Sequence, residues 1–352
     1  MYIAGDYMDK TFSETQIPTA LQGFYSVIQE DLQEVERLLK DFLACDNPFI
    51  QQVTEHGFRL GGKRMRPALH LLFAKMAGNV LPAHFVIGAA LETIHTASLV
   101  HDDILDEAET RRHLPTVNAV WNNETSVLMG DFMVARAMLA VAQLRNQTVN
   151  EIVAQTSCSL CEGEMRQVGS RGRFDLTEDE YYEIITGKTA ALFECACRLG
   201  VLCALIPDGN TAEISAENQK KIENAALFGR SLGQAFQIAD DLLDILGTED
   251  RMGKTLGSDL AKQKLTLPII RLLAALDAVS RETLIGEIRN RLSSGTYSKI
   301  RDLFCEHKIC DSVRATTIGH IRQGLELLSV FPESQAKNAI EGFANYAIER
   351  QC

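Results

Sequence analysis

Hydrophobic residues recur at spacings of three and four along almost the whole 352-residue chain, and the alternation typical of strands is scarce. Helical patterns cover residues 22–42, 67–76, 82–105, 127–144, 149–168, 178–205 and 219–246, and shorter ones continue to the C-terminus. Each of these patterns is longer than an ordinary strand. The sequence therefore predicts an all-α fold.

Turn-forming residues separate the helical patterns, in the breaks GGKRMRP, RRHLPTV, VGSRGRFDLTEDE, IPDGN and LGTEDRMGKTLGSDLAKQK. Thr177 and Glu180 have the spacing of a capping box, which predicts the start of the helix that follows them. The last break is long, charged and contains glycine, so we expect a functional lid there. No linker or repeat divides the chain. This predicts one all-α domain over residues 21–352, after an N-terminal extension of residues 1–20.

Composition and charge exclude several classes of protein. The net charge of −12 argues against a nucleic-acid partner, because phosphate backbones require a basic surface. The nine cysteines lie mostly in apolar helical patterns, so we expect reduced thiols, and Cys158 and Cys161 lack a second pair for a zinc site. The N-terminus has no apolar signal segment, and no uncharged apolar run reaches the roughly 18 residues of a membrane span. We therefore expect a cytoplasmic protein without a transmembrane segment.

The stretch HDDILDEAETRR crowds acidic residues at the polar end of an apolar helix. Asp102 and Asp106 are four residues apart and share a helix face, with Asp103 beside them. Like charges at this spacing repel each other. A single acidic run is as typical of an exposed turn as it is of a functional site. The same spacing returns far downstream in QIADDLLD, at Asp240, Asp241 and Asp244. If the two DDxxD motifs face each other, they form a negative pocket that only cations can relieve.

Carboxylate oxygens are hard ligands, and without nearby histidine or thiolate they favour Mg²⁺ or Mn²⁺ over zinc or copper. Mg²⁺ usually takes one or two carboxylates and completes its coordination with water and substrate phosphates. The two motifs therefore indicate a phosphorylated ligand bridged by several ions. Arg111 and Arg112 lie just beyond the first motif, where the outer oxygens of a diphosphate would be.

Further basic residues lie at loops and helix ends. They are Lys63, Arg64 and Arg66 in GGKRMRP, Lys188 in TGKTAALFE, and Lys254, Lys262 and Lys264 in the long loop. Gly61 and Gly62 would let the backbone approach an anion closely. Each basic residue alone is typical of a solvated side chain, but together with the acidic motifs they favour an anion site. His95, two turns before Asp102, is compatible with either a core histidine or a ligand.

These motifs together resemble the trans-isoprenyl diphosphate synthases, the family of farnesyl, geranylgeranyl and longer polyprenyl diphosphate synthases. The segments GGKRMRP, HDDILDEAETRR, GDFMVARA, GKTAALFE, QIADDLLD and GKTLGSDLAKQKLTLP appear in the family's order, and FPESQAKNAIEGFANYAIER resembles its C-terminal helix. The resemblance implies a single helical bundle of the isoprenoid synthase type, with a central cavity between the two DDxxD-bearing helices. It also implies a homodimer and three Mg²⁺ ions per site.

The resemblance assigns roles to individual residues. Lys63, Arg66, His95 and Arg112 match the residues that bind isopentenyl diphosphate, and Arg111, Lys188, Thr189, Gln237, Lys254 and Lys264 match those that bind the allylic diphosphate. Asp102, Asp106 and Asp240 match the main magnesium ligands, and Asp103, Asp241 and Asp244 complete the two acidic shells. The chain departs from the family at Gln263, where glycine usually precedes the second loop lysine. Gln263 would restrict the backbone, so Lys262 stays a possible substitute for Lys264.

The function implied is the successive head-to-tail addition of isopentenyl diphosphate to an allylic primer. Small residues at Ala97 and Ser98, five and four before Asp102, imply an open channel and a product in the heptaprenyl to octaprenyl range, with geranylgeranyl diphosphate as the alternative. The channel floor would then lie near Ile94 or Leu91, or at Met133 or Ala137. Other possibilities are a terpene cyclase, a head-to-head synthase, a non-catalytic subunit of a heteromeric synthase and a purely structural helical protein. Intact GGKRMRP and intact aspartates disfavour them.

Overall fold

The structure, a computed structural model, describes residues 23–59, 62–210, 214–246, 257–290 and 293–349. Within these ranges the only regular elements other than helices are two strands of two residues each, so the all-α fold is confirmed. The longer helices are α1 (Gln29–Leu43), α2 (Pro48–Arg59), α3 (Met65–Ala77), α4 (Pro82–Leu105), α6 (Asn123–Gln143), α7 (Gln147–Gly169), α8 (Glu178–Ile185), α9 (Ala191–Leu205) and α10 (Ala216–Leu246). After α10 come α11 (Ser258–Ala261), α12 (Leu267–Ala275), α13 (Ala278–Asn290), α14 (Ser294–Glu306), α15 (Ile309–Leu327) and α16 (Gln335–Glu349), and α5 (Val117–Val120) is one short turn.

The helices pack around α4, α9 and α10. Helix α4 lies against α6, α9 packs between α3 and α10, and α15 covers α10. Helix α4 is apolar on most sides because it is surrounded by other helices, whereas α1 buries one stripe made of Leu32, Val35, Leu39 and Leu43. The DDxxD motifs therefore lie at the ends of two core helices.

Two hydrophobic clusters meet along α10. The larger cluster uses the first half of α10, up to Ala235, together with α1, α3, α4, α6 and α9. The smaller cluster uses Ile238, Leu242 and Ile245 of α10, together with α8 and helices α12 to α15. The second acidic motif lies where α10 passes into the smaller cluster, so apolar packing on both sides fixes its position.

Capping side chains explain where two helices begin. The Thr177 hydroxyl accepts from the Glu180 amide at 3.2 Å and the Glu180 carboxylate accepts from the Thr177 amide at 3.0 Å, so the predicted capping box is confirmed. Helix α6 begins four residues before the predicted position 127, because Asn122 caps it by accepting from the Thr125 amide at 2.8 Å.

Three local features differ from the predicted helix pattern. Helix α2 was not predicted, although its four buried residues recur at helical spacing, because two of them, Thr54 and Gly57, are not large apolar residues. The pattern over residues 178–205 is interrupted by a π-helical turn, Thr186–Ala190, between α8 and α9. The break RRHLPTV contains a hairpin of β1 (Thr110–Arg111) and β2 (Leu114–Pro115). The π-helical turn carries the predicted site residue Lys188, and the hairpin carries Arg111.

Two helices are long and apolar enough to span a membrane by length and composition alone. In α4 about 67% of the apolar window is buried inside the protein, as expected of a core helix. In α6 only 39% is buried, so α6 presents apolar side chains on the outside of the bundle. The N-terminal extension and Lys254 lie outside the described residues, and the one-domain organisation stays a prediction.

Candidate active site

The first acidic motif occupies the C-terminal end of α4 and the residue that follows it. The Asp103 side chain is buried and paired with Arg111, whose Nε and Nη2 lie 2.9 and 2.8 Å from Asp103 Oδ1. Burial raises the pKa of Asp103, and the Arg111 charge opposes this shift. Asp103 thus anchors the β1–β2 hairpin to the end of α4.

The hairpin turn is built from Arg112 and His113, both in the left-handed region with φ of 52° and 64°. Two consecutive positive φ values are the geometry of a two-residue type I′ turn, which glycine or asparagine usually occupies. The turn holds the Arg112 side chain beside Gly62 of the GGKRMRP segment. Uncommon backbone conformations of this kind persist where the surrounding structure fixes them.

Asp106 faces the loop that carries Lys262 and Lys264. Lys264 Nζ donates to Asp106 Oδ1 at 2.7 Å, and Lys262 Nζ lies 3.4 Å from the same oxygen. Burial would raise the pKa of Asp106, but the Lys264 hydrogen bond and the charges of Lys262 and Lys188 lower it below its ordinary value. Both loop lysines therefore reach the first motif, and Lys264 is the more buried of the two.

Asp102 lies near Lys188, which comes from the π-helical turn. Lys188 Nζ is 3.5 Å from Asp102 Oδ2 and 2.5 Å from Glu164 Oε2. Gly163 permits this approach, because a Cβ there would lie 2.3 Å from the Lys188 amide nitrogen. Burial would lower the pKa of Lys188, but the carboxylates of Asp102 and Glu164 raise it, so the ammonium stays charged.

The second acidic motif is held by a hydrogen-bond chain. Asp241 accepts from the Tyr181 hydroxyl at 2.6 Å and from the Gln237 amide at 2.7 Å, and Gln237 in turn accepts from Thr189 at 2.7 Å. Burial and the charge of Asp259 raise the pKa of Asp241 to about 7. Asp241 is thereby held by protein donors.

The other two aspartates of that motif differ in exposure. Asp244 is almost fully buried and accepts from the Asp259 backbone amide at 3.3 Å, which ties α10 to the first turn of α11. Asp240 is half-buried. Asp240 is therefore more accessible to an incoming cation than Asp241 and Asp244 are.

Consecutive residues of the π-helical turn join the two motifs. Lys188 lies near Asp102 of the first motif, and Thr189 donates to Gln237, which donates to Asp241 of the second. A small cavity of about 20 Å³ beside this turn is lined by Asp241 of the second motif and by Lys188 and Lys264, which contact the first motif. Aspartates about 140 residues apart in sequence therefore border one site.

A second cluster of cations surrounds His95. Burial and the charges of Arg66 and Arg112 hold the pKa of His95 well below its usual value, so the imidazole is neutral at pH 7. Burial lowers the pKa of Arg66 to about 10, and its guanidinium stacks on Phe193 at 4.6 Å. Arg66 Nε is buried without a hydrogen-bond partner among the described residues. This cluster has donors available for an anion.

Arg64 has a different position from its neighbours in GGKRMRP. It is buried, lies in the left-handed region with φ of 55°, and pairs with Glu36 at 2.5 Å and Glu92 at 3.2 Å. The positive charge of Arg64 is therefore compensated by these two glutamates within the protein. Lys63 is half-buried, and Gly61 lies outside the described residues.

The predicted channel residues lie on α4 one turn before the first motif. Ala97 is completely buried, and Ser98 is half-buried with its hydroxyl donating to the His95 carbonyl at 2.8 Å. Leu91, Ile94, Met133 and Ala137, the residues considered for the channel floor, are all buried within the larger hydrophobic cluster. The chain-length role of these positions stays a prediction.

The carboxylates of the first motif and Asp240 are suited to a hard divalent ion. Asp102 and Asp106 have about a fifth to a quarter of their side chains exposed. No group of three metal-ligating side chains converges in the part of the chain that the structure describes. Mg²⁺ does not require such a cage, because substrate phosphates and water complete its coordination. The oxygen donors present therefore fit Mg²⁺ or Mn²⁺ held together with a diphosphate.

Several residues of the site were not predicted from the sequence: Glu36, Glu92, Glu164, Gln167, Arg171, Tyr181 and Asp259. Glu164 and Gln167 are polar residues one turn apart within the pattern of α7, and both contact Lys188. This spacing of two polar residues within an otherwise helical pattern could have indicated their place in the site. Tyr181 and Glu92 act through partners distant in sequence, so no local pattern indicates them.

A larger groove of about 600 Å³ lies between α7, α8 and α9. Arg166, Arg198, Glu194 and Tyr182 contribute to its lining, and none of the aspartates or cations of the site does. Gly163 and the first two residues of the π-helical turn also line the groove, so it adjoins the site without containing the acidic motifs.

Gln263 has φ of 54°, the left-handed conformation that glycine adopts without cost. This conformation costs an ordinary residue roughly 1–2 kcal/mol, whereas glycine loses roughly 0.5–1 kcal/mol more backbone entropy on folding. The departure from glycine therefore left the loop geometry intact, and both flanking lysines reach Asp106.

We expect Gln263→Gly to change the free energy of unfolding by no more than about 1 kcal/mol, in the stabilising direction, and Gln263→Val to destabilise by about 1 kcal/mol or more. Urea unfolding of the two variants beside the wild type measures this difference. Equal stability of the valine and glycine variants would contradict the positive φ.

The chain matches the polyprenyl synthetase family over residues 47–301. It is 32% identical to heptaprenyl diphosphate synthase component 2 of Geobacillus stearothermophilus, covering 94% of this chain and 99% of that protein. It is 35% identical to a short chain isoprenyl diphosphate synthase of Methanothermobacter thermautotrophicus, covering 90% and 95%. The crystal structure of a Caulobacter crescentus polyprenyl synthase, complexed with calcium and isoprenyl diphosphate, superposes with a TM-score of 0.85 at 30% identity, covering 94% and 98%. The chain therefore belongs to the polyprenyl synthetase family and is a trans-prenyltransferase.

Proposed function

We propose that the enzyme adds isopentenyl diphosphate to an allylic diphosphate in successive head-to-tail trans condensations that depend on Mg²⁺, with Mn²⁺ as an alternative ion. The observation that carries this proposal is the bridge between the acidic motifs by Lys188 and Thr189. Because of this bridge, one site contains carboxylates that can bind metal ions and also cationic side chains that can bind a diphosphate. The calcium and isoprenyl diphosphate named for the Caulobacter protein support the same combination.

Asp102, Asp106 and Asp240 would hold the ions, three per site, together with the allylic diphosphate. Bound there, the ions would neutralise the charge that develops on the departing diphosphate. Asp103 and Asp244 would support these ligands indirectly, because their carboxylates bind Arg111 and the Asp259 amide. Asp241 would orient Gln237 in the same way.

Cations of the protein would bind the allylic diphosphate beside the ions. Lys188 and Lys264 are largely buried and next to the first motif, so their attraction for phosphate oxygens is less screened than at the surface. Arg111, Thr189, Gln237 and Lys254 complete this group by resemblance. The loop that carries Lys262 and Lys264 would exclude water from the allylic cation.

The cluster around His95 would bind isopentenyl diphosphate. Arg66 has a buried donor without a partner in the part of the chain that the structure describes, Arg112 is held in place by the hairpin turn, and Lys63 is half-buried. Neutral His95 can donate one hydrogen bond without adding a further positive charge. After condensation, we propose that the released diphosphate accepts the proton lost from the new chain.

Replacing one cation of each cluster with alanine should distinguish the binding site of isopentenyl diphosphate from that of the allylic diphosphate. We expect Arg66→Ala to raise the KM for isopentenyl diphosphate roughly tenfold or more, and Lys264→Ala to raise chiefly the KM for the allylic primer by a similar factor. Lys254→Ala should behave like Lys264→Ala. Steady-state kinetics with each substrate varied in turn measures both constants, and an effect of both Arg66 and Lys264 on the primer alone would refute the division.

The product is proposed to lie in the heptaprenyl to octaprenyl range, because Ala97 and Ser98 are small. The relative named for heptaprenyl diphosphate supports this range. The relative named as a short chain synthase has similar identity, so geranylgeranyl diphosphate is kept as the alternative.

We also propose that the enzyme is a homodimer in the cytosol. Exposed apolar side chains lie along α6 and α7, namely Val127, Leu128, Leu139, Met165 and Val168. A second copy would cover this apolar face. Light scattering should give twice the 39.0 kDa chain mass. A stable monomer would contradict the proposal, and the name of the Geobacillus relative, component 2, makes a heteromeric partner the alternative.

A further inference from the structure

Three cations converge on a single carboxylate oxygen of the first acidic motif. Asp106 Oδ1 lies 2.7 Å from Lys264 Nζ, 3.4 Å from Lys262 Nζ and 3.6 Å from Arg171 Nη2. Lys262 and Lys264 belong to the loop that the family resemblance indicates. Arg171 comes from a different segment, the turn between α7 and α8, and the resemblance gives it no role.

Several charges surround these cations in a partly buried environment. Asp259 lies 3.9 Å from Lys264, and Lys188, which pairs with Asp102 and Glu164, also acts on Asp106. Charges in such an environment interact more strongly than in water. An anion at the Asp106 side of the site would therefore be attracted by Lys262, Lys264 and Arg171 together.

The turn that carries Arg171 is attached to the lysine loop through the backbone. The Gly172 amide donates to the Gln263 carbonyl at 2.9 Å, and Gln263 lies between Lys262 and Lys264 in sequence. Gly172 has φ of 76°, a left-handed conformation that favours glycine at this point of the turn. Arg171 and the two lysines therefore occupy fixed relative positions.

The Arg171 guanidinium has unused hydrogen-bonding capacity. Its Nε is buried without a hydrogen-bond partner among the described residues. Within the described ranges its Nη2 makes two long contacts, at 3.4 Å to the Leu105 carbonyl and 3.6 Å to Asp106. A guanidinium offers five N–H donors in a planar fork that matches a phosphate group. The side chain is thus positioned to accept an anionic ligand at the first motif.

We propose that Arg171 is a further binding residue for the diphosphate of the allylic substrate. It donates to phosphate oxygens at the Asp106 side of the site, together with Lys262 and Lys264, and the Gly172 to Gln263 hydrogen bond keeps the three cations together. This inference rests on the proposed function for the identity of the substrate. Its ligand chemistry, a diphosphate, follows from the cations and can be tested separately.

The test compares Arg171→Gln with Arg173→Gln, a matched change two residues along the same turn. Arg173 is more exposed and pairs with Glu180 at 2.8 Å and with Asp175 at 3.4 Å, away from Asp106. Calorimetric titration with inorganic pyrophosphate, in chelator and again with Mg²⁺, measures binding without turnover. Steady-state kinetics measures the KM for each substrate.

We expect Arg171→Gln to weaken pyrophosphate binding and to raise the KM for the allylic primer, each roughly tenfold, with the KM for isopentenyl diphosphate unchanged. Arg171→Lys should recover part of the loss because it restores the charge without the fork. Arg173→Gln should behave like the wild type in every measurement.

Arg171→Gln and Arg171→Lys variants that bind pyrophosphate and the primer as tightly as the wild type would overturn the proposal. Equal losses in Arg171→Gln and Arg173→Gln would also overturn it, because a general loss of surface charge or folding would then be the cause. A wild-type enzyme that binds pyrophosphate but extends no primer would contradict the proposed function instead. In that case the pyrophosphate titration still decides the role of Arg171.

Discussion

Replacing Asp102 with asparagine is expected to lower turnover by roughly 10²–10³-fold while the protein stays folded. Asp102 lies at the rim of the site, about a fifth of its side chain is exposed, and its carboxylate faces Lys188 rather than the hydrophobic core. The change removes a charge without removing packing. Asp240→Asn should have an effect of the same order, because Asp240 is the accessible carboxylate of the second motif.

A matched control is Asp302→Asn, an exposed aspartate on α14 outside both motifs, which should keep full activity. Circular dichroism and thermal melting of all three variants check folding, and excess chelator should reproduce the loss in the wild-type enzyme. Full turnover of Asp102→Asn, or turnover that persists in chelator, would refute the proposed metal ligands.

Replacing Ser98 with tyrosine is expected to shorten the main product by several isoprene units and to leave the first condensation nearly intact. Ser98 lies on the Asp102 side of α4, one turn earlier, and is only half-buried, so the added ring extends into space beside the site. No proposed diphosphate ligand is changed. Ala97→Phe should act in the same direction, but Ala97 is fully buried and overpacking would cost about 1–3 kcal/mol of stability.

Product length is measured by chromatography and mass spectrometry of the dephosphorylated products. Ser98→Ala is the control, since it removes the hydroxyl that donates to the His95 carbonyl and leaves the channel open. It should retain the wild-type product. A wild-type enzyme that stops at farnesyl diphosphate, or a tyrosine variant with an unchanged product, would show that the channel does not pass this residue.

The long helices could be predicted from the local apolar periodicity of the sequence. Both acidic motifs could be recognised from the spacing of their aspartates. The boundaries of α4 match the predicted range, and the Thr177 capping box is present. The π-helical turn could not be predicted from local periodicity, and the close packing of its Gly187 against Gly163 involves another helix. The left-handed conformation of Gln263 was not predicted either. From the residue type alone, we expected glutamine to restrict the backbone at this position.

The partners of the charged residues were also beyond sequence reasoning. Arg64 and Arg66 are two residues apart in one basic segment, yet Arg64 pairs with Glu36 and Glu92 while Arg66 keeps an unused donor. Arg171 resembles any solvated loop arginine until its distance from Asp106 is known. Such differences depend on long-range packing, which a local pattern does not encode.

The central claim is that one site joins isopentenyl diphosphate to an allylic primer and repeats the addition. Its most direct test is to incubate the purified enzyme with isotopically labelled isopentenyl diphosphate, Mg²⁺ and, in separate reactions, dimethylallyl, geranyl, farnesyl or geranylgeranyl diphosphate, and to identify the products by mass spectrometry. The account predicts label in all-trans polyprenyl diphosphates, chiefly of heptaprenyl to octaprenyl length, and only where a primer and Mg²⁺ are both present. A folded enzyme that incorporates no label with any of these primers would contradict it.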